Sequence, residues 1–95
     1  LQVNIGDESQ KSGINKNEIS KHVSYCKEIG LDLIGLMCIP PVDTDSEIYF
    51  KEMKKLNDEQ GFKELSMGMS SDFITASKYS ATYVRIGSSI FGQRF

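Results

Sequence analysis

The sequence predicts an α/β fold, a parallel sheet with helices packed outside it, on the strength of three observations. Strand-like and helix-like segments alternate along the chain with short links between them. The apolar spacing switches between a period of two and one of about 3.6 from segment to segment. One strand-like segment, Leu31 to Ile39, is apolar almost throughout, the pattern of a strand covered on both sides in a parallel sheet.

Leu1, Val3 and Ile5 alternate with Gln2 and Asn4, which gives a strand with two distinct faces. The polar run from Gly6 to Gly13, GDESQKSG, is a loop. Asn15 followed by Glu18 makes an Asx-type capping box, and Ile19, Val23, Cys26 and Ile29 follow at helical spacing until Gly30 stops the helix. The apolar strand ends at Pro40-Pro41, which cannot continue a hydrogen-bonded ladder. Thr44 with Glu47 makes a second capping box; Tyr49, Phe50, Met53 and Leu56 line one face of the helix that follows, and Gly61 ends it. Glu64 to Met67 reads as a short strand, GMSS as a turn, Asp72 to Tyr79 as a short helix capped by Ser70 or Ser71, and Thr82 to Ile86 as the last strand. There is no repeat, low-complexity segment or linker, so residues 1–95 form one unit.

Composition narrows the function classes. The 95 residues are 39% hydrophobic and 25% charged, an ordinary globular balance. A chain this short buries a smaller share of its surface than a larger domain, and it has no metal or disulfide pattern to compensate, so an incomplete fold is an expectation from the outset. It also begins on Leu1, in strand-like residues, and the expectation is that something precedes it. The formal net charge of −2 argues against nucleic acid: Lys51, Lys54 and Lys55 sit among Glu47, Glu52 and Asp58 as a solvated helix face. No apolar run approaches the roughly 20 residues that span a bilayer, and no membrane partner is expected. Cys26 and Cys38 lack metal-ligand spacing and read as buried free thiols, which fits a reducing, cytoplasmic compartment. His22, the only histidine, has no second ligand at helical spacing and reads as a surface residue.

In α/β folds ligands bind at the carboxyl ends of the strands, and three of those ends stand out here. The first offers Asn4, the third runs into Ser66-Met67-Gly68-Met69-Ser70-Ser71, and the last offers Arg85 followed by Gly87, Ser88 and Ser89. In the last strand Thr82, Val84 and Ile86 share one side and Tyr83 and Arg85 the other, so Arg85 points inward if the apolar side packs on the helices. An inward guanidinium needs an acceptor, which is either a carboxylate in a structural ion pair or an anion or heteroatom of a ligand. Gly87 allows close backbone approach, Ser88-Ser89 can cap a final helix that favours a phosphate, and Gly68 with Ser70 repeats the arrangement one strand earlier. Asp72, in the first turn after GMSS, would oppose a dianion and is expected to point to solvent.

The segments LQVNI, ESQKSG, GLMCIP, LSMGMSSDF and VRIGSSIFG, in that order and across nearly the whole chain, resemble the C-terminal half of the pyridoxal-phosphate homeostasis proteins, the YggS/PROSC family. The pair LSMGMS and RIGSSIFG is the specific part of the match. The resemblance implies the C-terminal half of a TIM (β/α)8 barrel of the alanine-racemase type, with strands five to eight in residues 1–95 and the N-terminal half absent. It implies a non-catalytic protein that binds pyridoxal 5′-phosphate (PLP), buffers or delivers it, and maintains vitamin B6 and amino-acid balance. Carried over by position, it puts Met69 and Ser70 at the cofactor phosphate, Gly87 and Ser88 as further phosphate donors, Arg85 facing the pyridine nitrogen, and Asn4 and Met37 at the barrel mouth.

The lysine that attaches the cofactor in that family lies on the first barrel strand, outside this chain, and no lysine here sits at a strand end pointing inward, so covalent attachment is not expected from these residues. The alternative is a fragment of a PLP-dependent amino-acid racemase. That chemistry needs a second acid or base opposite the lysine, and no motif assigns that duty to Tyr25, Tyr49, Tyr79 or Tyr83. A half-barrel would leave two open sheet edges and an uncovered inner face, so its missing half or a second copy is the expected protein partner.

Overall fold

The computed structural model describes residues 1–7, 12–41 and 45–86. Within them the order of elements is a short 3-10 turn (Lys16–Glu18), α1 (Ile19–Glu28), β1 (Gly35–Met37), α2 (Ser46–Glu59), β2 (Glu64–Met69), α3 (Phe73–Lys78) and β3 (Tyr83–Arg85). The three strands form a parallel sheet in the order β1-β2-β3. The N-terminal residues lie alongside β1, with Gln2 bridged in parallel to Met37. This is the α/β arrangement that the alternating pattern predicts.

One face of the sheet makes the core. Val3, Ile5, Leu36, Cys38, Leu65 and Met67 project from it and meet Ile19 of α1, Phe50 and Met53 of α2 and Ala76 of α3, all of them buried. Asn57 is buried among them because its amide closes a circuit: Oδ1 accepts from the Leu36 amide at 3.1 Å, and Nδ2 donates to the carbonyls of Phe62 and Glu64 at 3.3 and 3.0 Å. A buried amide so engaged avoids the cost of an unpaired polar group and fixes the height of α2 against β1 and β2.

The three helices end alike. After α1 the Leu31 amide donates to the Cys26 carbonyl and the Gly30 amide to that of Lys27; after α2 Phe62 donates to Asn57 and Gly61 to Asp58; after α3 Ala81 donates to Ala76 and Ser80 to Ser77. These are Schellman endings, which need a left-handed residue just past the cap. Gly30 (φ +81°) and Gly61 (φ +74°) supply it as the sequence predicts, whereas Ser80 (φ +70°) does so against its side chain.

Several local expectations need correction. The Leu31–Ile39 segment pairs as strand only over Gly35–Met37, and Leu31, Ile34 and Ile39 are exposed, because the described helices cover one face of the sheet. β2 runs two residues further than Met67. The cap of α2 is Asp45, whose carboxylate accepts from the Glu47 amide at 3.1 Å; Thr44 lies outside the described residues. The residue before α3 is Asp72 rather than Ser70 or Ser71. Asn15 does cap its turn, accepting from the Asn17 amide at 2.8 Å. Of the two thiols Cys38 is fully buried and Cys26 only partly. The N-terminal edge of the sheet is not open along its length, since Ile14 bridges Val3 on the side away from β1.

Candidate functional site at the carboxyl end of the sheet

Strand alternation turns Ser66, Tyr83 and Arg85 away from the helices, onto the uncovered face. In register, Gly35 pairs with Glu64, Met37 with Ser66, Ser66 with Tyr83, and Met69 with Arg85. Three steps along β2, from Ser66 to Met69, match two along β3, so β2 bulges at Met67 and Gly68. Gly68 has φ +103°, and a Cβ on it would lie 2.7 Å from that of Ala76. Only glycine fits this bend where α3 presses on the strand.

Arg85 reaches from β3 across β2 to the residue just after β1. Its Nη1 donates to Ser66 Oγ at 2.8 Å and its Nη2 to the Cys38 carbonyl at 3.0 Å. Its Nε is buried and has no hydrogen-bond acceptor among the described residues. No carboxylate pairs with it among those residues, so the described residues do not build the ion-pair alternative. Both engaged acceptors are neutral. Among the described residues the guanidinium therefore brings a cation without a paired carboxylate, and one unused donor, to the strand ends, which suits an anion or a ligand nitrogen.

Asp72 is not directed at solvent. Its Oδ1 accepts from the Met69 amide at 2.8 Å and its Oδ2 from Ser46 Oγ at 2.9 Å, so one carboxylate closes the turn after β2 and ties it to the start of α2. The proximity of α2 and α3 is reinforced by Tyr79, whose hydroxyl donates to Glu47 Oε1 at 2.6 Å; that bond raises the phenol above its ordinary pKa. Burial pushes the Cys38 thiol up to about 12, against the lowering influence of Arg85 and with a further push upward from Asp72.

A cleft of about 480 Å³ opens beyond the strand ends, lined by Ile39, Pro41, Asp45, Glu47, Met69 and Asp72 among others. Its size suits a small ligand, yet three carboxylates on its wall repel a phosphate. A smaller hollow of about 170 Å³ lies on the uncovered face between Ile34, Met37, Ser66 and Tyr83. The positive charge of Arg85 lies on that second side. Among the described residues no group of three or more His, Cys, Asp or Glu side chains could hold a metal ion, and no helix is long and apolar enough to cross a membrane.

The fold thus brings Met37, Met69 and Arg85 to adjacent strands of one sheet, with Asn4 on the segment beside β1 and Ser70 directly after β2. Gly87 and Ser88 lie outside the described residues. The sequence singles out Ser66 only as the start of the run after the third strand and assigns it no role, although its place between Leu65 and Met67 already puts it on the same face as Arg85.

Comparison with known proteins agrees with this architecture. The pyridoxal phosphate homeostasis protein of Aquifex aeolicus is 36% identical over 104 residues, covering 99% of this chain and 46% of that protein. Those of Haemophilus influenzae and Homo sapiens are 39% and 38% identical, covering 44% and 39% of their lengths. The chain therefore spans less than half the length of these relatives. Among solved structures, PipY of Synechococcus elongatus without PLP superposes with a TM-score of 0.87 at 28% identity, covering 97% of this chain and 48% of PipY. The PLP-bound form of PipY gives 0.81 at 26% identity. The family described as alanine racemase, N-terminal domain, matches residues 1–94. With that match running almost from end to end, the chain belongs to the alanine racemase N-terminal domain family.

Proposed function

We propose that this chain forms the C-terminal half of a (β/α)8 barrel that binds PLP non-catalytically, as part of a homeostasis protein that buffers or delivers the cofactor in the cytoplasm. The observation that carries the reading is Arg85: a half-buried guanidinium at the carboxyl end of the sheet, without a carboxylate partner and with its Nε–H unused among the described residues. An unprotonated pyridine nitrogen is an acceptor that this donor fits. Facing a permanent cation, that nitrogen stays unprotonated, which weakens the ring as an electron sink and fits a carrier better than a transaminase. The names of the relatives and the PLP-bound form of PipY support the same ligand.

The phosphate would lie where β2 and β3 end. Because the Met69 amide already donates to Asp72, Ser70 with Gly87 and Ser88 would carry that contact, and Met69 would contribute packing. Asn4 and Met37 would line the mouth. The attaching lysine would come from outside these 95 residues: among the described residues the lysines lie in the 3-10 turn, on helices, or, for Lys63, at the opposite end of β2 from the site. The rest of the barrel, or a second copy, would cover the face that leaves Ile34 and Tyr83 exposed.

Fluorescence titration with PLP tests the reading, followed by borohydride reduction and mass spectrometry. Reversible binding that Arg85→Ala weakens about tenfold or more is expected, with no stable pyridoxyl adduct on a specific lysine of this chain. Failure of PLP to bind the protein overturns the proposal; a specific adduct overturns the claim about the lysine.

A further inference from the structure

We propose that Ser66 is a positioning residue for Arg85, holding the guanidinium so that Nε–H is the donor presented to the ring nitrogen of bound PLP. The inference rests on the PLP reading above. A planar guanidinium with two of its nitrogens anchored has its plane set, and with it the direction in which the third donates. Here the anchors stand on two different strands: Ser66 Oγ on β2 takes Nη1 at 2.8 Å, and the Cys38 carbonyl, just after β1, takes Nη2 at 3.0 Å. Nε is left without an acceptor among the described residues. The Cys38 anchor is main chain and is fixed by the ladder, where the Cys38 amide donates to the Ser66 carbonyl at 3.1 Å. Among the described residues Ser66 is therefore the one anchor that a side chain supplies, and its hydroxyl must act as acceptor because arginine can only donate.

The same geometry explains why a hydroxyl and not a carboxylate serves here. An aspartate at 66 would neutralise Arg85 and lower its attraction for a ligand acceptor; a serine orients the cation and leaves its charge available.

The test compares the affinities of PLP and of its 1-deaza analogue, in which C–H replaces the ring nitrogen, for the protein and for Ser66→Ala and Ser66→Thr. The unaltered protein is expected to prefer PLP by about tenfold. Ser66→Ala is expected to bring the ratio close to one, and Ser66→Thr, which keeps the hydroxyl, to restore it. If Ser66→Ala weakens both ligands equally and leaves their ratio unchanged, Ser66 is only structural and the proposal is overturned. Equal affinity of the unaltered protein for both ligands overturns the ring-nitrogen assignment and this proposal while PLP binding stands; no binding of either overturns the underlying reading. Should Ser66→Ala fail to fold, Ser66→Cys keeps the volume with a weaker acceptor, and a ratio unchanged from the original in that folded variant also overturns the proposal.

Discussion

On β2, Leu65 and Met67 are sealed beneath helices, while Ser66 between them opens onto the other face and accepts from Arg85. The same contrast runs across the sheet. The covered face carries Val3, Ile5, Leu36, Cys38, Leu65 and Met67, and the opposite face carries Met37, Ser66, Tyr83 and Arg85. One face gains its stability from burial of apolar area; the other leaves polar groups and exposed apolar ones whose value lies in what they can contact. A two-residue period is enough to separate these duties, so single substitutions on neighbouring residues should have very different consequences.

The largest difference is expected between Leu65→Ala and Tyr83→Ala. Leu65 is 2% exposed, and its truncation opens a cavity in the core at a cost of about 3 kcal/mol. Tyr83, 55% exposed, should cost less than about 1 kcal/mol. Urea denaturation of the two variants measures the gap, and equal losses would break the distinction between the faces.

Asp72→Ala comes next, at about 2 kcal/mol, because it leaves the Met69 amide and Ser46 hydroxyl without their acceptor. The change should also loosen the turn after β2, read as faster hydrogen exchange at Met69 than at Leu36 or Leu65. An unaltered exchange rate there would mean that the turn is held by its backbone alone.

Cys38 sharpens the comparison through pH. Its thiol is held neutral by burial, with a folded pKa of about 12 against an ordinary 9.0. Above the unfolded value, the unfolded chain has released a proton that the native one keeps, so folding loses stability at ~1.4 kcal/mol per pH unit as pH rises from about 9 towards 12. Below pH 9 this contribution is fully present. Replacement by Ala should remove that part of the alkaline slope, and a thiol reagent at neutral pH should label Cys26 well before Cys38.

The sequence makes the covered face far more legible than the site. Alternation in Leu1, Val3 and Ile5 and the helical spacing of Phe50 and Met53 identify core positions because burial leaves a periodic trace. The direction of Arg85 follows from the same period. Its partners do not, since Ser66 and the Cys38 carbonyl meet it only through sheet register, and register is set by how whole strands pack. Asp72 misleads for a similar reason: an acidic residue in a first turn ordinarily faces water, but here the bulge at Gly68 turns the Met69 amide towards its carboxylate. The continuous apolar run around β1 suggests two covered faces. Ile34 is 55% exposed because the described helices cover only one of them.

The smallest effect lies between the two regions, at the residue that leads from α3 into β3. Ser80 occupies the left-handed position that Gly30 and Gly61 occupy in the other two Schellman endings, at φ +70°. A side chain there costs about 1 kcal/mol, partly offset because glycine would have more freedom to lose on folding. Ser80→Gly should therefore raise stability by about 0.5 kcal/mol, visible as a small upward shift in Tm. The Ala81 amide is tied to the Ala76 carbonyl and the Thr82 amide to that of Leu65, so the start of β3 is held by bonds that the substitution leaves in place. The position of Arg85, and with it PLP affinity, should stay as it is; a stabilised variant with altered affinity would mean that the strained turn, and not the sheet register, sets where the arginine lies.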